Sequence, residues 1–149
     1  MYDASVAIHV AAAIVGFGAT FSYPVIQIVA ELRDPDSLPL AMDTILAVSR
    51  WVAVPATLIV GATGAYQAAA GPYDFGDAWL ATGAALYVAV MLVSILYLAP
   101  AYRRARDAAR ATAGRSDEYK AAIRGVSIVG PLVAAAVVAI AVLMELKPA

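Results

Sequence analysis

His9 is the only histidine of a 149-residue chain, and it stands in SVAIHVAAAIVGFGATFSYPVIQIVA, residues 5–30, a run without formal charge at neutral pH. An imidazole there can ligate a metal or haem iron, carry a proton, or hydrogen-bond to a neighbouring helix or to interfacial water. If residues 4–31 and 40–71 form antiparallel helices and a last helix ends near residue 146, then Tyr66, Gln67 and Met144 share its depth, with Glu145 close by. That set is a candidate cofactor pocket. Haem b needs a second axial ligand there, which only Met144 or the His9 of a second protomer supplies. A second polar set, Tyr23, Gln27, Thr57, Ser94 and Tyr97, with Ser127, falls toward the other end of the same helices and lines a solute path if it faces inward.

Enzyme templates fit less well. No nucleophile, base and orienting acid share a depth, so no catalytic residue is assigned. The stretch GFGATF, residues 16–21, lacks the third glycine of a dinucleotide fingerprint and follows no strand. The chain has no cysteine, which excludes thiolate metal sites and disulfides. Asp74 and Asp77 read as the end of one helix and the cap of the next rather than as a cation site.

The elements that must position these groups follow from composition. Hydrophobic residues make up 63% of the chain and charged ones 14%, and mean hydropathy is +0.80. Soluble domains run at roughly 45–50% and about 25%. Ten basic residues against eleven acidic ones leave no basic surplus for nucleic acid. The windows free of Asp, Glu, Lys and Arg are 4–30, 51–73, 78–102 and 125–144. Each matches the ~20 residues that cross a hydrocarbon core of about 30 Å, and runs such as AAAVVAIAVL are apolar on every side, unlike a barrel strand. The expected fold is an all-α integral membrane four-helix bundle with up-down topology and helices at about 4–31, 40–71, 78–113 and 117–146. The start MYDAS lacks the positive region of a cleaved signal peptide.

Seven of the ten basic residues lie between Arg103 and Arg124, while GPYDFGD, residues 71–77, has none. Basic residues stay on the cytoplasmic side, so a multi-pass protein of the cell membrane with both termini outside is expected. Trp51, Tyr97 and Tyr102 then fall in the inner aromatic belt, and Tyr2, Tyr73, Phe75 and Trp79 in the outer one. YRRARDAARATAG carries the third helix into the cytoplasm as one arm of an extended hairpin, pairs Arg103 with Asp107 at i,i+4, and ends at Gly114. Ser116 with Asp117 and Glu118 opens the last helix. RDPDSLP is a turn, and LPLAMDTILAVSR presents Leu38, Ala41, Met42, Ile45 and Leu46 on one helical face. The basic surface reads first as a topology signal on solvated helix ends, with docking of a partner or anionic lipid as its alternative. Ala12, Gly16 and Thr20, and Gly61 and Ala65, form small-residue stripes for close helix contact. Pro24, Arg50 and Pro55, matched by Pro100, Arg124 and Pro131, suggest a coarse parallel repeat.

HVAAAIVGFGATFSYPVIQ, the arginine that introduces SRWVAVPATLIVGATGAY, and four helices in this length together resemble a family of predicted integral membrane proteins known as domain of unknown function 2269. The same pattern is more distantly similar to the copper-resistance D membrane domain and the membrane protoporphyrinogen oxidases. That resemblance implies a haem or metal role for His9. The reading preferred from the residues is a small non-enzymatic binding or accessory subunit in the lipid bilayer, as a homo-oligomer or within a larger membrane complex. A haem- or metal-binding redox protein using His9, and a small-solute or ion transporter, are the alternatives.

Overall fold

The computed structural model describes residues 1–73, 77–112 and 116–146. Six α-helices account for nearly all of them: α1 (Tyr2–Arg33), α2 (Leu38–Val48), α3 (Val54–Ala70), α4 (Ala78–Val93), α5 (Ala99–Thr112) and α6 (Asp117–Leu146). No strand occurs among the described residues. A 3₁₀ turn, Pro35–Ser37, joins α1 to α2. There Asp34 accepts the Asp36 amide at 3.2 Å and its carbonyl takes the Ser37 hydroxyl at 2.6 Å, the local bonding that aspartate and serine supply in turns. Two π-helical turns, Ser49–Ala53 and Ser94–Leu98, fuse α2 to α3 and α4 to α5. The result is four apolar rods of 32, 33, 35 and 30 residues, each long enough to cross a membrane.

The π turns have one cause in both places. Val54 N–H reaches back five residues to the Ser49 carbonyl, and Ala99 N–H likewise to Ser94. The next residue is Pro55 in one case and Pro100 in the other. Proline lacks the amide that would bond four residues back and its ring crowds that carbonyl, so a turn widened by one residue relieves both faults. Beyond the widened turns the buried stripe of α2 (Leu38, Ala41, Met42, Ile45) packs toward α5, whereas α3 packs on α1.

The densest packing lies at the basic end, where the α1 C-terminus, α2, α5 and the start of α6 meet. Leu38, Met42, Ile45 and Ala105 are fully enclosed, among Tyr23, Ala30, Tyr102, Tyr119, Ile123 and Val126. Only 6% to 22% of each span window is buried, and Ile14, Leu58, Leu96 and Leu132 are exposed. Water drives apolar side chains together at the extended end; lipid gives no such drive between spans, which touch through small residues instead. Gly16 illustrates this, because a Cβ there would lie 3.1 Å from Ala56 Cβ across the α1–α3 seam. Ala12 and Gly16 are buried, but Thr20 is exposed and bonds its hydroxyl to the Phe17 carbonyl, and Gly61 faces Tyr87 of α4 rather than α1.

Asp107 pairs with its neighbour Arg106 at 2.9 Å, not with Arg103. Asp43 of α2 draws Arg106 and Arg110 across from α5, at 3.9 and 2.7 Å. Ser116 caps α6 by accepting the Tyr119 amide at 3.1 Å. Gly114, Asp74, Phe75 and residue 113, which the sequence reading placed in a cap, a turn, a belt and a helix end, lie outside the described residues.

Candidate functional site

Helix α1 carries two groups of polar side chains along its inward stripe. Ser5 and His9 lie on that stripe toward one end. Tyr23, Gln27 and Glu31 follow at i,i+4,i+8 toward the basic end. Between them Ala12 and Gly16 are buried, and Gly16 meets Ala53 and Ala56 of the facing rod.

At His9 the ring lies in the α1–α3 seam over Gly64, where a Cβ would approach its Cε1 to 3.3 Å. Its Nδ1 is 2.9 Å from Thr63 Oγ1. Thr63 has one hydroxyl proton, and it goes to the Ile59 carbonyl at 2.6 Å. His9 Nδ1–H is therefore the donor to Thr63, and Nε2 is left as the bare nitrogen. One turn along, Gln67 Nε2 donates to the Ser5 carbonyl at 3.2 Å and approaches its hydroxyl at 3.4 Å. The structure thus brings His9 and Gln67 to one seam with Ser5 and Thr63. Tyr66 projects from the exposed side of α3, and Met144 sits with its methyl against Gly83 of α4. Glu145 is exposed.

The second group is tighter. Gln27, the one buried polar residue among those described, donates to Glu31 Oε1 at 3.1 Å. The same oxygen accepts the Tyr119 hydroxyl at 2.8 Å, tying α1 to α6. Burial first, and then the Glu31 carboxylate it donates to, pushes the Tyr119 phenol above its ordinary range. Tyr23 packs edge-on against Tyr102, with centroids 6.2 Å apart, and its buried hydroxyl has no hydrogen-bond partner. Thr57, Ser94 and Tyr97 do not join this group. Thr57 bonds its own helix at the Ala53 carbonyl, 2.6 Å away, while its carbonyl takes the Tyr87 hydroxyl from α4 at 2.9 Å. Ser94 opens a π turn, and Tyr97 lies half-exposed beside Gly125. Ser127 is exposed.

Sequence reasoning missed Glu31, Tyr102 and Tyr119. The i,i+4 spacing of Gln27 and Glu31 carried part of the signal; the two tyrosines come from other helices and carried none. Among the described residues no three His, Asp or Glu side chains converge as a metal site. The chemistry on offer is hydrogen bonding and one imidazole nitrogen.

No curated protein and no solved structure matches the chain. A family model described as "Predicted integral membrane protein (DUF2269)" matches residues 5–148. Four rods of membrane length agree with that description. With the match running over nearly the whole chain, the protein belongs to the DUF2269 family of predicted integral membrane proteins.

Proposed function

We propose that the chain is a small non-enzymatic membrane protein, a binding or accessory subunit within a larger complex or a homo-oligomer. In this reading it sits in the cell membrane with its basic end in the cytoplasm and both termini outside. The carrying observation is the close, apolar α1–α3 seam. From His9 to Tyr23 is 14 residues, about 21 Å along the helix, and within it Ala12 and Gly16 are buried, with Gly16 set against Ala53 and Ala56. Above and below, His9–Thr63, Gln67–Ser5 and Tyr119–Glu31 hydrogen bonds tie neighbouring helices together. Such a seam supports a fixed scaffold better than a conduit. The basic residues around α5 support the orientation.

A haem or metal role for His9 has one observation in its favour. Its Nδ1 is anchored by Thr63, the kind of hydrogen bond that orients a ligating imidazole and leaves Nε2 to bind. Because Met144 faces Gly83, a second protein ligand would come from another protomer.

Purification in mild detergent separates the readings. A colourless protein that elutes as a defined oligomer or with stoichiometric partners is the expected result. A Soret band lost in His9→Ala would replace the subunit reading with the redox one, and uptake into proteoliposomes abolished by Gln27→Ala would replace it with transport. A protease site within 103–112 should be cut only from the cytoplasmic side.

A further inference from the structure

The arginines of the basic end fall into two kinds. Arg106 and Arg110 are drawn to Asp43, and Lys120 lies 3.6 Å from Asp117. Arg50, Arg103, Arg104 and Arg124 are exposed and have no acidic partner among the described residues.

These four share a level. Tyr23 touches Tyr102, and Tyr119 reaches Glu31, which sets the register of three rods. Arg103 and Arg104 follow Tyr102 directly, Arg50 lies within the π turn Ser49–Ala53 that packs on α1, and Arg124 lies five residues beyond Tyr119. At 1.5 Å per residue the four fall within about 10 Å along the helix axes. Arg33, also unpaired, lies farther out at the end of α1. On the span side of the four stand Trp51, 74% exposed, and Tyr97, 40% exposed, with Ile95 and Leu96. Arg50 lies 5.5 Å over the Trp51 ring, which keeps its guanidinium at the edge of the apolar surface.

A band of unpaired guanidinium groups directly outside an exposed aromatic and aliphatic band matches the phosphate layer of a bilayer in charge and in depth. We infer that Arg50, Arg103, Arg104 and Arg124 form a docking girdle for the headgroups of anionic phospholipids. The inference holds whichever side of the membrane this end faces, and it is independent of the subunit reading.

Native mass spectrometry of the detergent-solubilised full chain, with dioleoyl phosphatidylglycerol and dioleoyl phosphatidylcholine in equal amounts, tests it. The wild type should retain phosphatidylglycerol preferentially, and each single Arg→Gln change at the four positions should weaken retention about fivefold, the equivalent of roughly 1 kcal/mol per arginine. The quadruple Arg→Lys variant should keep the preference, and so should Arg106→Gln with Arg110→Gln. Equal retention of the two lipids by the wild type would overturn the inference. So would an equal loss from the paired and the unpaired arginines, since net charge alone would then explain binding. If one single Arg→Gln protein does not fold, the other three and the lysine variant decide the matter.

Discussion

Gly16→Leu puts the α1–α3 seam to the test. A Cβ at Gly16 would lie 3.1 Å from Ala56 Cβ, with Thr57 N at 3.7 Å and Ala53 O at 3.8 Å. Ordinary carbon contacts sit at about 3.5–4.0 Å, and neither a methyl group nor a helix backbone can swing aside. Alanine alone would force the rods apart by about half an ångström, offsetting the gain of about 1 kcal/mol that replacing a helical glycine brings. Leucine adds three more carbons on the same line. Overpacking of this kind costs about 1–3 kcal/mol, and separation of the rods also strains the His9–Thr63 bond two turns away. Gly18→Leu is the internal control, because nothing lies within 4 Å of a Cβ there. Reversible unfolding in mixed micelles, followed by circular dichroism, should place Gly16→Leu at least about 1 kcal/mol below Gly18→Leu, which keeps the helix-propensity gain and should be no less stable than the wild type. Equal stability of the two variants would refute the placement of the seam.

Met42→Ala should cost about 2–5 kcal/mol in the same assay, because the side chain is fully enclosed, whereas Ile14→Ala at an exposed span position should cost little. Tyr119→Phe and Glu31→Gln should each lose about 1.5–3 kcal/mol, and the double variant should lose less than their sum, since both remove one charge-assisted bond. The raised Tyr119 value also has a signed consequence. The folded protein favours the protonated phenol, so this contribution is complete below the ordinary tyrosine value of about 10 and disappears as pH rises through the higher folded value; Tyr119→Phe should lack that alkaline loss. Asp43→Asn should cost under about 1 kcal/mol, with the effect fading in high salt, because its ion pairs with Arg106 and Arg110 are partly solvated.

The charge-free windows alone were enough to recognise four membrane-length helices, because any apolar stretch of about 20 residues must satisfy its backbone internally. Ser116 was equally legible as a cap, since capping is local. The facing of side chains within the spans was not. When nearly every residue is apolar, the 3.6-residue period no longer separates a lipid-facing valine from a helix-facing one, so Gly16 and Gly61 looked alike although one meets α3 and the other Tyr87. Tertiary structure decided that His9 pairs with Thr63 and Gln67 with Ser5, and that Met144 turns to α4. It also joined Glu31 to Tyr119 and split the arginines into paired and unpaired sets. Those outcomes depend on the register between rods, which close contacts and hydrogen bonds set across more than 50 residues of sequence and which no local pattern encodes.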